Sequence, residues 1–337
     1  MLLRPKHFFY GFLALPASLI IIFGLLRLQI PQYLAAYTGS GFAKPLPKIE
    51  AAKVSGEHAA GSCQSQAIRV LTYNVRYGSD LIEDFRKSLG SGAPGDYLPW
   101  SARYPEMKKR VENYAPDLIG LQEMQTDQDI SRIVSLQQYT LQSYHLNSFE
   151  YGDAALLFRT NRFEKLDSGQ LWLGPDANLP LSLGFKPLAV IRYVNWAMLR
   201  EKTTGFTFIF INTHFDNNSL NREKSADLFN QNFTKLSMEY PLIITGDFNS
   251  KAVTERYQRL IGSSDSAMHL TNAYDLDLSP KSSEETNPND LIDHILVGGP
   301  CAAMVSNWQV DKRTLESGDT LSDHDPVMAQ LYFIGRK

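Results

Sequence analysis

The chain has 337 residues, of which 43% are hydrophobic and 20% are charged, a composition typical of a globular protein with a substantial core. Its formal net charge is −3, so it lacks the global basic field of proteins that hold nucleic acid mainly through its phosphates. A bound divalent cation can supply positive charge locally, and therefore the charge balance does not exclude a metal-dependent nuclease.

The N-terminal segment contains a long stretch without any charge, from Phe8 to Leu26. At about 1.5 Å per residue, a helix over this stretch just crosses a hydrocarbon core of about 30 Å. Basic residues precede the stretch at Arg4 and Lys6, which favours a cytoplasmic N-terminus and an exported C-terminal part. The sequence therefore predicts a membrane anchor.

This topology places the rest of the chain on the periplasmic or extracellular side of the membrane. It divides the sequence into a tail (1–7), a transmembrane signal-anchor (8–30), a flexible linker (31–66) and a globular domain (67–337). The linker is predicted from its prolines and glycines and from the lack of a sustained apolar period. The alternative is secretion after signal cleavage, since Gly41-Phe42-Ala43 fits the small-residue rule of a cleavage site.

The sequence contains two cysteines, Cys63 in the predicted linker and Cys301 in the domain. An exported domain permits a disulfide between them, whereas two unpaired buried thiols are the alternative. The sequence leaves both possibilities open.

In the domain, short apolar runs predict strands, and apolar residues at helical spacing predict helices. Several strands follow each other as hairpins, which favours a layered α/β sandwich with mixed sheets over a purely parallel sheet. In chain order we predict a strand at 68–75, a helix at 103–114, strands at 118–121 and 154–158, a hairpin of 196–200 and 206–213, a helix carrying Ala226, Phe229, Phe233 and Leu236, and strands at 242–245, 292–297 and 327–333.

Polar side chains repeatedly stand inside a predicted strand or next to one of its ends. One such residue alone is typical of a turn or a helix cap. Beside buried strands, however, polar groups cost free energy unless they are paired or bind a metal, so their repetition predicts a common site. The residues are Asn74, Glu123, His214, Asp216, Asp247, Asn249, Asp293, Asp323, His324 and Asp325.

The donor types in this set indicate the cation and the reaction. Carboxylates with amide oxygens and no cysteine cluster form a hard, oxygen-rich site that suits Mg²⁺ or Mn²⁺. The HExxH motif of zinc hydrolases, the GxSxG motif of serine hydrolases and the P-loop of nucleotide-binding proteins are absent from the sequence. Metal-assisted hydrolysis remains, in which a cation polarises a phosphoryl oxygen and carboxylate–histidine pairs direct a water.

In chain order, the motifs TYNVR, LQE, NTHFD, GDFN, IDHILV and SDHDPV resemble those of the endonuclease/exonuclease/phosphatase (DNase I-like) superfamily. The resemblance covers residues 67 to 335. Within the superfamily, the chain is most similar to the bacterial secreted or membrane-associated hydrolases. The resemblance implies a four-layer α/β sandwich, with two mixed β-sheets face to face and helices outside. It also implies a Mg²⁺-dependent phosphoester hydrolase, either a phosphodiesterase or a phosphatase.

The resemblance implies roles around the cation and the attacking water. Glu123 is implied as the principal metal ligand, with Asn74 beside it and Asp323 in support. Asp247 is implied to orient or deprotonate the water. Asn249 is implied to position the water or a phosphate oxygen.

A second group of residues is implied to contact the scissile phosphate. His324, held in one tautomer by Asp293, contacts the phosphate, and His214 donates to a phosphate oxygen in the transition state. Asp216 is interpreted as support behind His214. The resemblance leaves the general base open between Asp247 and His324.

The substrate is open at this level: a lipid, a nucleotide, a sugar phosphate or a nucleic acid. The specific alternatives are an exported nuclease acting on DNA or RNA, a sphingomyelinase-like lipid phosphodiesterase, and a non-catalytic member that binds a phosphorylated ligand. No obligate protein partner is indicated. A lipid substrate would favour exposed aromatic residues near the site, for which the candidates are Tyr139 to Tyr151, Trp172 and Phe185.

The segment 291–294 and the residue Arg222 are interpreted separately from the site residues. The family often has Arg-Ile-Asp-Tyr where this chain has Leu291-Ile292-Asp293-His294, which alters the substrate contacts expected there. Arg222, one turn into the helix that follows His214, either faces the phosphate or is a solvated side chain on the helix surface, and the second interpretation is favoured.

Overall fold

The computed structural model describes residues 63–79, 98–146, 149–186, 189–263, 266–277, 279, 287–315 and 317–335. The predicted tail, the predicted signal-anchor and most of the predicted linker lie outside these residues. Within the described ranges, no helix is long and apolar enough to cross a membrane.

The described residues form twelve strands, five α-helices and one 3-10 helix. The elements are β1 (Ile68–Gly78), α1 (Trp100–Tyr114), β2 (Leu118–Met124), α2 (Asp127–Ile133), β3 (Tyr139–Leu146), β4 (Phe149–Arg159), β5 (Phe163–Trp172), β6 (Tyr193–Glu201), β7 (Thr207–His214), α3 (Ser219–Glu239), β8 (Leu242–Asp247), α4 (Glu255–Ile261), β9 (Leu270–Asn272), α5 (Ala273–Leu276), a 3-10 helix (Pro288–Asp290), β10 (Asp293–Gly298), β11 (Ala302–Val310) and β12 (Val327–Ile334).

The strands form two six-stranded sheets, in the orders β11-β12-β1-β2-β4-β3 and β5-β6-β7-β8-β10-β9. Each sheet has one parallel pair near its centre, β1 with β2 and β7 with β8, and its other pairs are antiparallel. The prediction of mixed sheets is therefore confirmed. Parallel neighbours end at the same edge of a sheet, and so each pair brings two strand ends together.

The core has separate apolar layers, because strand side chains alternate between the two faces of a sheet. Along β8, Ile243 packs in the layer between the sheets, whereas Leu242 and Ile244 pack beneath α3. A third layer joins β1 and β2 to α1 through residues such as Ile119 and Met107. Two mixed sheets with helices on their outer faces are thus observed, as predicted.

The described residues contain a disulfide between Cys63 and Cys301, with no free cysteine. It joins the chain just before β1 to the turn between β10 and β11. Beside it, Ser65 exchanges hydrogen bonds with Phe333 at the end of β12. Of the two possibilities left open by the sequence, the structure has the disulfide, which attaches the end of the linker to the domain.

Candidate active site

The ends of the two parallel pairs meet across the gap between the sheets. Asn74 of β1 is fully buried, and its Nδ2 donates to Oδ2 of Asp247 at 3.0 Å and to Oε1 of Glu123 at 3.3 Å. Asp247 is the last residue of β8 in the opposite sheet, and Glu123 lies in β2. Three residues that the sequence placed in a common site are therefore in direct contact.

The backbone that surrounds Glu123 adopts an uncommon conformation. Arg76, Tyr77 and Glu123 have φ angles of 51°, 47° and 63°, in the left-handed region that non-glycine residues rarely adopt. In this conformation the Tyr77 N–H donates to Oε2 of Glu123 at 3.1 Å, and the Arg76 N–H donates to Oδ1 of Asn74 at 3.0 Å. Strained backbone of this kind is typical of functional sites, where the surrounding contacts hold it in place.

Asp247 lies at the centre of the site. One of its oxygens, Oδ2, lies 3.3 Å from Nε2 of His214 and 3.8 Å from Nε2 of His324, and the other accepts the Asn249 N–H at 2.8 Å. Burial alone would raise the pKa of Asp247. The hydrogen bond from His214 and the charges of both histidines outweigh burial and lower it, so this carboxylate is ionised at neutral pH.

His324 forms a tight pair with Asp293, the first residue of β10. Nδ1 of His324 lies 2.6 Å from Oδ2 of Asp293. Burial would lower the pKa of His324, but the hydrogen bond and charge of Asp293, followed by the charge of Asp247, raise it. Burial raises the pKa of Asp293, and the nearby Asp247 adds to this effect. The pair leaves Nε2 of His324 directed toward Asp247.

His214 is held in the same way, by a residue that the sequence did not indicate. Its Nδ1 lies 3.0 Å from Oδ1 of Asp153 in β4, and Arg192, just before β6, pairs with the other oxygen of Asp153 at 2.5 Å. Burial and Arg192 oppose the protonation of His214, but Asp153 and Asp247 raise its pKa to about 9. Asp153 meets the criterion used for the other site residues, because it is a carboxylate beside the buried strand residues Ala154 and Ala155.

The expected place of Asp216 is corrected by these contacts. Its carboxylate accepts the Asn218 N–H at 3.0 Å and Nδ2 of Asn221 at 2.6 Å, at the start of α3. The carboxylate that contacts Nδ1 of His214 is that of Asp153. Asp216 therefore shapes the connection between β7 and α3.

The interpretation of Arg222 as a solvated side chain is wrong. Arg222 is half-buried, and its Nη1 donates to the backbone oxygen of Asn249. Asn249 has a left-handed φ of 49°, and its Nδ2 donates to the Phe215 oxygen at 2.8 Å. Asn249 is thus held by contacts on both sides, next to Asp247.

The loop before β12 completes the site. Ser322 donates through Oγ to the Asn74 oxygen at 2.8 Å and accepts the His324 N–H at 3.2 Å, which fixes this loop against β1. Asp323 is exposed, with Oδ2 at 3.5 Å from Nε of Arg76. Asp323 therefore lies beside the turn that holds Glu123.

Two groups of residues offer ligands for a divalent cation. Glu123 and the nearby Asp323 offer carboxylate oxygens, and the amide oxygen of Asn74 accepts the Arg76 N–H, so the donors are oxygens without sulfur, which is the chemistry of Mg²⁺ and Mn²⁺. In addition, one ligand atom each of Asp247, Asp293 and His324 lie within 4.8 Å of one another. In the second group, Nδ1 of His324 and Oδ2 of Asp293 already bind each other, so the Glu123 side is the better fit for a cation.

Comparisons with known proteins agree with this fold. The crystal structure of an endonuclease/exonuclease/phosphatase family protein from Bacteroides thetaiotaomicron is 26% identical, with a TM-score of 0.65. The match covers 80% of this chain and 99% of that one. The mannosyl-6-phosphatase Bt3783 from the same bacterium is 23% identical, with a TM-score of 0.60 over 78% of this chain and 99% of its own. The human Nocturnin catalytic domain with bound sulfate anion is 22% identical, with a TM-score of 0.57 over 80% of this chain and 96% of its own.

A curated relative and a family profile extend the comparison to sequence. Protein angel from Drosophila melanogaster is 22% identical over 207 residues, which are 58% of this chain and 56% of that protein, so the chain spans little more than half of this relative. The profile of the Endonuclease/Exonuclease/phosphatase family matches residues 71–324. The chain belongs to the endonuclease/exonuclease/phosphatase family, a family of phosphoester hydrolases.

Proposed function

We propose that this chain is a divalent-metal-dependent phosphoester hydrolase that uses Mg²⁺ or Mn²⁺. The observation that carries the proposal is the convergence of Glu123, Asn74 and two histidine–carboxylate pairs around the ionised Asp247. Each element of metal-assisted hydrolysis has a counterpart in this arrangement: oxygen ligands, a carboxylate for the water and donors for the phosphate.

Glu123 and Asn74 would hold the cation, with Asp323 in support. A bound cation polarises a phosphoryl oxygen and offsets the negative charge that develops on it. The Arg76 and Tyr77 N–H groups hold the Asn74 and Glu123 side chains in place before the substrate arrives. The metal ligands are therefore positioned by backbone contacts.

Asp247 orients the attacking water and accepts its proton, because its carboxylate lies between the ligand side and both histidines. The Asn249 N–H holds Oδ1 of Asp247, and Nδ2 of Asn74 with Nε2 of His214 holds Oδ2, so the carboxylate is fixed in orientation before the water binds. Asn249 in turn is positioned to contact the water or a phosphate oxygen.

His324 and His214 donate to phosphate oxygens. Nδ1 of each ring is bound by a carboxylate, Asp293 or Asp153, so Nε2 is the nitrogen that faces the site. Both Nε2 donors lie near Oδ2 of Asp247, and two donors match a phosphate group, which has several oxygens on which charge increases in the transition state.

The substrates to be tested are chosen from the structural neighbours and from the exposure of the aromatic residues considered above. Of the aromatic residues considered for a lipid substrate, Tyr139, Tyr144 and Trp172 are buried and offer no lipid contact. One structural neighbour is a mannosyl-6-phosphatase, so a sugar phosphate belongs in the panel beside DNA, RNA, sphingomyelin and inositol phosphates.

The full chain should hydrolyse at least one of these phosphoesters with Mg²⁺ or Mn²⁺, and EDTA should abolish the activity. Asp247→Asn and His324→Ala should each lower kcat by about a thousandfold or more while thermal unfolding shows a folded protein. His269→Ala is the control, because His269 is exposed beside the opposite end of β10. Wild-type turnover in both site variants would contradict the roles, and no hydrolysis of any substrate would indicate the non-catalytic alternative.

We further propose that residues 8–30 anchor the domain on the exported side of a membrane. The uncharged stretch from Phe8 to Leu26, with basic residues before it, supports this topology. The Cys63–Cys301 disulfide adds support, because disulfides persist in exported proteins and are rare in the cytosol.

A further inference from the structure

Arg103 of α1 is completely buried although it lies on no strand and in none of the motifs around the site. Its guanidinium donates to backbone oxygens in three separate segments. Nε donates to Leu98 at 2.8 Å, Nη1 donates to Val75 at 2.7 Å and to Leu321 at 2.8 Å, and Nη2 donates to Arg76 at 2.8 Å. One side chain thus joins the start of α1, the end of β1 and the loop before β12.

Two of these segments carry the proposed metal ligands. Arg76 and Tyr77 have the left-handed backbone whose N–H groups hold Asn74 and Glu123. Leu321 directly precedes the loop that carries Asp323 and His324. The oxygens bound by Arg103 therefore belong to the backbone that sets the positions of the ligands.

We propose that Arg103 is a positioning residue for the metal side of the site, which it preforms by fixing the end of β1 to the loop before β12. This inference rests on the proposed function, because it concerns the cation held by Glu123, Asn74 and Asp323. Arg103 touches neither the substrate nor the cation and acts through the backbone that it binds.

The geometry explains why this residue is an arginine. Its three nitrogens lie in one plane and point to different carbonyl groups, which a single ammonium group cannot reproduce. The guanidinium carbon also lies 5.4 Å from the centre of the Trp100 ring, one turn earlier in α1, which keeps the group in its plane. Lysine at this position would retain the positive charge but could not donate to all of these carbonyl groups at once.

The test compares Arg103→Lys with Arg110→Lys in the full chain purified in detergent. Arg110 is a matched control because it is also buried in α1, two turns further on, where Nη1 lies 3.8 Å from Oδ2 of Asp311. Mn²⁺ affinity is measured by the loss of the free-ion paramagnetic resonance signal, and thermal unfolding is measured without metal. Arg103→Lys should raise the Mn²⁺ Kd at least tenfold, whereas Arg110→Lys should change it less than twofold, although both lower Tm.

A second variant covers the case in which Arg103→Lys does not fold. Arg103→Gln removes the buried charge, retains one N–H donor, and should also raise the Mn²⁺ Kd at least tenfold. An unchanged Kd in a folded Arg103 variant, or an equal rise in Arg110→Lys, would overturn the inference while metal-dependent hydrolysis by the wild type stands. Absence of Mn²⁺ binding by the wild type would overturn the metal requirement and this inference together.

Discussion

At the scale of single residues, the two site histidines share one arrangement. Each ring gives Nδ1 to a carboxylate, Asp293 or Asp153, and directs Nε2 toward Asp247. A carboxylate on Nδ1 sets the orientation of the ring and stabilises its protonated form. Asp247 therefore faces two donors that are oriented before any substrate binds.

The sequence predicted most of the residues that meet in this site, because polar groups at the ends of buried strands are distinctive. The resemblance also implied the pairing of His324 with Asp293, but nothing in the sequence indicated the pairing of His214 with Asp153. Asp153 is 61 positions from His214, and only the relation between the two sheets brings them together. Arg103 was also missed, since an arginine in a helix is usually solvated and its backbone contacts depend on the fold.

His294 shows how adjacent residues can differ in role. It follows Asp293 in β10, so its side chain points to the opposite face, where it is buried. Its Nε2 donates to the Ser250 oxygen at 3.0 Å, and its Nδ1 accepts from Nδ2 of Asn272 at 3.0 Å. Burial lowers the pKa of His294 to about 4. His294 is therefore a buried, neutral residue whose ring nitrogens are bound by Ser250 and Asn272.

This burial predicts a pH-dependent stability. The pKa of His294 is about 4 in the folded protein and about 6.5 in the unfolded chain, so the unfolded chain takes up the proton first as the pH falls. The free energy of unfolding should therefore decrease by about 2 kcal/mol from pH 7 to pH 4.5 through this group alone. Urea unfolding of the wild type and of His294→Gln measures it, because the variant lacks this contribution. Parallel pH profiles for the two proteins would contradict the prediction.

At the scale of elements, the predicted strands are the inner ones of the two sheets. The strands that were not predicted, β3, β5, β9 and β11, are the edge strands. Edge strands are partly solvated and contain many polar residues, as in the half-exposed β11, so their sequences lack a continuous apolar run. Inner strands are covered on both faces, so their sequences contain a continuous apolar run from which they can be predicted.

The two sheets are held together by buried amides beneath the site. Asn212 of β7 donates through Nδ2 to the oxygens of Leu121 and Ala155 in the other sheet, at 3.0 and 2.8 Å. Its Oδ1 accepts from Nε2 of Gln122 at 2.7 Å and from Oγ1 of Thr245 at 3.0 Å. Such contacts fix the relative position of β2, β7 and β8, whose ends form the site.

Gly120 of β2 allows this close approach. A Cβ at position 120 would lie 2.2 Å from Oγ1 of Thr245 and 2.4 Å from Oδ1 of Asn212. Gly120→Ala should therefore push the sheets apart, lower the free energy of unfolding by about 1–3 kcal/mol, and reduce kcat by displacing Asp247 from Asn74. Urea unfolding and steady-state kinetics measure both effects. Gly335→Ala, where a Cβ meets no atom within 4 Å, is the control and should leave both unchanged. A Gly120→Ala protein with wild-type stability would show that the sheets are not held at this distance.

At the scale of the whole molecule, the site and the start of the domain lie at opposite ends of β1. Asn74 lies six residues after Ile68, which is about 20 Å along a strand. Near the start of β1, Arg162 joins Asp117 of one sheet to Glu201 of the other, at 2.7 and 2.6 Å. With an N-terminal anchor, the linker would therefore join the domain at the end of β1 remote from the site.

The redox state of Cys63 and Cys301 tests whether the domain is exported, because disulfides form in oxidising compartments. The disulfide joins two cysteines that are 238 positions apart in the sequence, and such a cross-link stabilises mainly by restricting the unfolded chain. In the full chain, both cysteines should resist alkylation by maleimide in the denatured state until a reductant is added. In a variant without residues 8–30, which is retained in the reducing cytosol, both should be alkylated directly.

Mass spectrometry after alkylation under denaturing conditions counts the alkylated cysteines in the full chain and in the variant without residues 8–30. Cys63→Ser in the full chain should also lower the free energy of unfolding, by up to about 5 kcal/mol if the full effect of chain restriction is realised. Ser65→Ala is the control for the local contact with Phe333, and should cost much less because it removes one hydrogen bond. Free thiols in the full chain would contradict both export and the disulfide, since the two depend on the same oxidising compartment.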